Sequence, residues 1–252
     1  MSAEAALVRS ESVDGVTTVT LDDPARRNAL SWDLVQALCA ALEAAAAGDC
    51  RALVLRNTPP VFSAGGSVDD LLEPKAPLDD TYDAFRALDR LGVPTVAVVD
   101  GAAVGAGINL VLACDIALCT PDTRFDVRFL DVGIHPGGGQ LWRLERALGG
   151  QAAAAMTLFG EVVTGEQAVG LGLVWRCLPA DEVLDEALRL AKRAAGHDPG
   201  LVRRVKATRH AVAAVGDVEA AMALEREAQE WSMARPEFET GLHALRARLG
   251  RR

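Results

Sequence analysis

No stretch of this 252-residue sequence is long and apolar enough to form a membrane-spanning helix. Apolar runs such as Thr95–Val99 and 110–113 fall far short of the roughly 20 residues that a span needs. Residues 1–7 have no basic start followed by an apolar stretch, which predicts no secretory leader. Basic residues never gather beyond short pairs such as Arg203-Arg204, and the net charge is −9. Nucleic-acid binding needs a basic face, so no nucleic-acid partner is expected. An acidic chain can still hold an anionic cofactor through a few local basic side chains and helix N-termini. There is no C-x-x-C and no paired Cys/His spacing, so no metal site is expected. The five cysteines (Cys39, Cys50, Cys114, Cys119, Cys177) are scattered, mostly inside apolar runs. They read as buried free thiols in a reducing compartment, which predicts a soluble cytoplasmic protein. A dinucleotide G-x-G-x-x-G is also missing, because Gly105-Ala106-Gly107 continues as Ile108-Asn109-Leu110. So are a P-loop lysine and a G-x-S-x-G nucleophile turn.

What is present is a chain that is half hydrophobic, enough for a substantial core. Short β-branched runs at Val16–Leu21, 52–55, Thr95–Val99, Ile116–Cys119 and 173–176 read as strands, several buried on both faces. Helical stretches lie between them. Ser31 is placed to cap a helix whose apolar face carries Leu34, Leu38, Ala41, Leu42 and Ala45. Further helices are expected to start near Gly105 and near Gly138. This alternation predicts an α/β fold with a largely parallel sheet covered by helices. After Pro179 the strand signals stop. Val183, Leu184, Ala187, Leu188 and Ala191 form one helical stripe; Ala221, Leu224, Ala228 and Trp231 form another. The expected division is a core over residues 1–178 and a helical region over 179–252, which covers the core or packs on a neighbouring subunit.

Two glycine-rich turns follow predicted strands. One is Val61-Phe62-Ser63-Ala64-Gly65-Gly66-Ser67; the other runs from Asp100-Gly101-Ala102-Ala103-Val104 into Gly105-Ala106-Gly107. Small residues let backbone N–H groups approach a ligand that a Cβ would block. The second turn opens a helix, whose free amides and positive dipole end favour developing negative charge.

F-S-A-G-G, then P-x-x-A-x-x-x-G-x-A-x-G-A-G from Pro94, then Ala113-Cys114-Asp115-Ile116 together resemble the enoyl-CoA hydratase/isomerase (crotonase) superfamily. Arg27-Asn28-Ala29-Leu30, Gly133-Ile134-His135-Pro136-Gly137-Gly138-Gly139 and 170–174 extend the likeness over nearly the whole chain, in order. The resemblance implies a spiral of β-β-α units with C-terminal trimerisation helices, as a homotrimer or a hexameric dimer of trimers. It implies an acyl-CoA thioester substrate, with coenzyme A as part of the substrate and no separate cofactor. It places the thioester oxygen between the amides of Gly66 and Ala106. By the same resemblance Gly65 and Gly105 belong to the substrate site, Ala29 and Ala64 line an adenine pocket by backbone, and Arg26 and Arg27 meet the phosphates.

The two glutamates that hydratases use for proton transfer fall at Asn109 and Phe129, and neither residue supplies that chemistry. Asp131 and His135 are the substitute acid/base candidates. Asp131 shares a face with Phe129 if the segment is a strand, and histidine titrates near neutrality. Asp69 and Asp70 read as acids on an exposed helix start, and Asp115 as structural. Trp32, Trp142, Trp175 and Trp231 read as core or interface anchors. Two functions remain open: an enolate-chemistry enzyme acting on acyl-CoA, or a non-catalytic acyl-CoA-binding protein.

Overall fold

The computed structural model describes residues 6–250; most of the 1–7 segment read for a leader therefore lies outside the described residues. It divides into two units, 1–196 and 197–252.

The first unit is organised by strands that alternate between two sheets. A six-stranded sheet has the order β1 (Val8–Val13), β2 (Val16–Leu21), β3 (Ala52–Asn57), β5 (Thr95–Val99), β7 (Ile116–Cys119), β10 (Arg176–Cys177). Only the β1–β2 pair is antiparallel. A smaller sheet has the order β4 (Val61–Ser63), β6 (Ala102–Val104), β8 (Arg124–Asp126), β9 (Val163–Thr164). The strand pairs β3/β4, β5/β6 and β7/β8 each place their first member in the large sheet and their second in the small one. That repetition is the spiral expected from the motif order. Every residue of β5 is buried, as parallel strands covered on both faces require.

Helix α1 (Trp32–Ala47) starts where the sequence placed it: Ser31 Oγ accepts the Leu34 N–H at 3.2 Å. Leu34, Leu38, Leu42 and Ala45 are buried on one face of α1, with Val35 beside them. Burying such a leucine contributes about 1.5–3 kcal/mol, so this face alone secures the helix. Short helix α2 (Val68–Leu72) and helices α3 (Asp83–Arg90), α4 (Ala106–Ala113), α5 (Gln140–Leu158) and α6 (Gly165–Leu171) follow in order. Helix α7 (Val183–Ala195) packs Val183, Ala187 and Ala191 on Val54, Val96 and Val98 of the large sheet. It thus belongs to the first unit, although it lies beyond residue 178. The strand expected at 173–176 is shorter and later: Leu173 and Val174 are buried outside any strand, and pairing begins at Arg176.

The second unit contains α8 (Pro199–Val212), α9 (Val218–Met233) and α10 (Pro236–Leu249). The guanidinium groups of Arg204 and Arg235 lie 5.7 and 4.8 Å from the Trp231 ring centroid. All five cysteines are free, with Cys114 and Cys119 buried and the others half-buried. Burial, and then the neighbouring Cys177, push the Cys119 thiol far above its ordinary range, so it is inert. No helix among the described residues is long and apolar enough to cross a membrane.

Candidate active site

The first glycine turn leaves β4 and is clamped to the segment before α1. Ala64 N–H donates to Arg27 O at 2.9 Å, Leu30 N–H to Gly65 O at 2.7 Å, and Ser67 N–H to Leu30 O at 3.4 Å. Ser63 Oγ accepts the Gly65 N–H at 3.2 Å and donates to Asn28 O at 2.8 Å. Asn28 is fully buried in a left-handed conformation (φ 51°), following Arg27 at φ 55°. Its side chain supports that geometry: Nδ2 donates to Val61 O at 2.7 Å, and Oδ1 accepts the Asp23 N–H at 2.8 Å. The consequence for Gly66 is directional. Its N–H shares a planar trans peptide with the Gly65 carbonyl, which is committed to Leu30, so the N–H points the opposite way. It has no hydrogen-bond partner among the described residues.

The second turn carries β6 into α4. Gly105 N–H donates to Asp126 O at 2.8 Å, and Gly105 O accepts from Ile108 N–H at 3.1 Å. The same peptide-plane argument sends the Ala106 N–H out from the helix start, and it too has no partner among the described residues. The two turns touch. A Cβ on Gly65 (φ 89°) would lie 2.8 Å from Val104 O and 3.6 Å from Ala106 N. A Cβ on Gly107 would lie 2.8 Å from Ser63 Cβ, so glycine there lets α4 sit against β4. Two unpartnered amides on neighbouring turns, one at a helix N-terminus, can hold a developing oxyanion.

The surroundings are neutral or apolar. A Cβ on Gly105 would come within 3.8 Å of the Phe129 ring, which is half-buried. Asn109, one turn along α4 from Ala106, is 1% exposed and donates through Nδ2 to Gly137 O at 3.1 Å. Residues Leu130–Val132 form a single 3-10 turn with Phe129 at its N-cap, not a strand. The same-face argument for Asp131 therefore fails, because i and i+2 share a face only in extended chain. Asp131 and His135 are both exposed. His135 Nδ1 lies 2.7 Å from Pro136 O, a pure acceptor, which assigns the proton to Nδ1 and the lone pair to Nε2.

The remaining candidates separate by their partners. Asp69 is exposed, but Asp70 does more than favour its own helix: its carboxylate accepts the Trp32 N–H at 2.6 Å, capping α1 from α2. Asp115 accepts the Thr95 N–H at 2.9 Å and its hydroxyl at 3.1 Å, a structural link between β5 and β7. Arg26 lies 3.6 Å from Asp23, while Arg27 is exposed with no ion pair among the described residues. Ala29 and Ala64 are half-buried beside it. Trp32 is half-buried, whereas Trp142 and Trp175 are exposed at 63% and 60% and do not anchor the core. Sequence reasoning passed over Ser63 and Asn28 as positioning groups. Ser63 and Asn28 sit inside the quoted motifs, but no local signal reveals a hydroxyl reaching a carbonyl 35 residues away.

Residues 11–249 match the family model described as Enoyl-CoA hydratase/isomerase. A Mycobacterium tuberculosis protein named probable enoyl-CoA hydratase is 39% identical over 246 residues, covering 92% of this chain and 94% of that protein. The 2,3-dehydroadipyl-CoA hydratase of Escherichia coli is 37% identical, covering 76% of each. The crystal structure of a Mycobacterium smegmatis enoyl-CoA hydratase superposes with a TM-score of 0.88 at 30% identity, covering 96% of both chains. Ordered glycine turns, paired sheets and these likenesses agree: the chain belongs to the enoyl-CoA hydratase/isomerase family.

Proposed function

We propose that this protein is an enzyme that binds an acyl-CoA thioester and holds its carbonyl oxygen between the N–H groups of Gly66 and Ala106. The observation that carries the proposal is the pair of unpartnered amides on touching turns. When a base takes a proton from water as its oxygen adds to Cβ of a 2-enoyl thioester, the Cα=Cβ pair shifts into the Cα–carbonyl bond and the carbonyl π pair moves onto the thioester oxygen. Two fixed donors at that oxygen lower the barrier, each by about 3–4 kcal/mol. His135 Nε2 carries the available lone pair for proton transfer, and its loop reaches Asn109 through Gly137. Asp131 is the weaker candidate. Arg27, with Ala29 and Ala64 beside it, meets the phosphates and adenine of coenzyme A. The names of the relatives, which refer to enoyl-CoA and dehydroadipyl-CoA, support a CoA thioester as ligand. Assembly as a homotrimer or hexamer belongs to the same reading. It is supported by exposed apolar side chains on α9 such as Val218 and Met222, and light scattering tests it.

A panel of 2-enoyl-CoA thioesters followed by mass spectrometry, with wild type and Gly66→Pro, tests the proposal. The proline lacks the N–H, and turnover is expected to fall about 10²–10³-fold while the fold is kept. Retained turnover in a folded variant overturns the mechanism. The second reading, a binder without chemistry, is favoured by Asn109 and Phe129 at the positions of the family's glutamates. Tight retention of thioesters with no turnover by the wild type would establish it instead.

A further inference from the structure

Helix α2 is a single turn of five residues, none of them buried, and Val68, Leu71 and Leu72 are exposed. A helix this short does not persist by itself, and without an apolar face in the core it needs other contacts. Polar groups at the start of α1 supply them. Trp32 is the first residue of α1, so its N–H has no acceptor within that helix. The Asp70 carboxylate accepts it at 2.6 Å, setting a negative charge against the positive end of a 16-residue helix. Ser67 Oγ accepts the Asp70 N–H at 3.3 Å, which caps α2 in turn. Lys75 Nζ lies 3.2 Å from Asp33 and 3.6 Å from Asp70. Lys75 and Asp33 are more than half exposed, where an ion pair contributes little, while the Asp70 side chain is 17% exposed. Asp70 is therefore the main fastening of α2.

This fastening continues the pairing that aims the Gly66 N–H. Leu30 N–H donates to Gly65 O at 2.7 Å and Ser67 N–H to Leu30 O at 3.4 Å, and the next link along both segments is Trp32 to Asp70. The helix also borders Gly66 directly, because a Cβ there would lie 3.5 Å from Leu71 Cδ1. Gly66 thus sits between Leu30, which fixes its peptide plane, and a helix that polar contacts alone hold in place.

We propose that Asp70 is a positioning residue for the Gly66 amide: its carboxylate pins α2 to the first turn of α1 and so fixes where that N–H points. The kinetic consequence rests on the oxyanion reading of the site. A displaced donor loses contact with charge that develops only in the transition state, so the loss falls on kcat rather than on KM. Asparagine at this position keeps an oxygen for the Trp32 N–H but gives up the attraction to the helix end.

Hydrogen exchange and steady-state kinetics on the full chain test this, with Asp70→Ala and Asp70→Asn. In Asp70→Ala the amides of Leu30, Trp32 and Ser67 are expected to exchange at least ~10-fold faster, while β2, β3 and β5 keep wild-type rates. Its kcat on a 2-enoyl-CoA thioester is expected to fall ~10–100-fold, with KM changed less than about threefold. Asp70→Asn is expected to lie between the two in both readouts. Wild-type exchange at all three amides in Asp70→Ala overturns the inference, as does a loss confined to KM. An Asp70→Asn variant no better than Asp70→Ala overturns it too, because the acceptor for Trp32 would then be irrelevant. Should Asp70→Ala not fold, Asp70→Asn carries the exchange test, and wild-type rates at all three amides again overturn the inference. A wild type that turns over no thioester overturns the enzyme reading and the kinetic consequence with it; the exchange rates then still decide whether Asp70 holds the turn.

Discussion

The two glycine turns and the 129–135 segment border the same site but are built by opposite means. In the turns, the groups proposed for the chemistry are main-chain N–H groups. Their directions are set by peptide planes locked to Leu30 and Ile108. In the second region they are side chains on an exposed 3-10 turn and the loop after it. A backbone donor is indifferent to a methyl group, so the proposed hole keeps its donor with alanine at 106. A proton-transferring carboxylate is not replaceable in that way by an asparagine or a phenylalanine. The difference teaches that a role proposed for backbone groups would survive a change of side chain, whereas one proposed for side chains would not.

The sharpest way to break this comparison is at Gly65, because its conformation and its space both exclude a side chain. Gly65→Ala puts a Cβ 2.8 Å from Val104 O at a left-handed φ of 89°. It is expected to cost about 2–4 kcal/mol in urea unfolding, and to abolish turnover. On the side-chain half, His135→Gln is expected to lower kcat about 10²-fold with little change in KM; an unchanged kcat would remove His135 from the reaction. Ser63→Ala leaves the Gly65 N–H and the Asn28 carbonyl without the hydroxyl that joins them. Its expected cost is about 1–3 kcal/mol in the same unfolding assay, accompanied by a fall in kcat that Ser63→Thr partly restores. Smallest of all, Asp131→Asn changes an exposed residue and is expected to shift kcat less than about threefold. A large loss at Asp131 would move the acid/base role onto the 3-10 turn.

Legibility in the sequence followed the range of the interactions. β5 was visible as a nearly continuous apolar run because it is buried on both faces, and β2 as a run of valine and threonine. The start of α1 was visible because Ser31 caps within three residues. The three-residue strands β4, β6 and β8 were not, since their pairing is with strands tens of residues away and too few residues are involved for a period to show. The 3-10 turn after Phe129 was not legible, because nothing local distinguishes a single 3-10 turn from a short strand.

The sequence by itself determined the alternating strand and helix pattern, the order of the glycine turns and the family they mark. These depend on residue type and short spacing, which the chain carries in any conformation. Tertiary structure alone decided where the amides point, that Ser63 reaches Asn28, that Asp70 caps α1, and that Asn109 and Gln140 meet at Gly137. Apart from the short turns 105–108 and 137–140, these rest on hydrogen bonds between separate elements, which depend on packing rather than on any local preference of the chain.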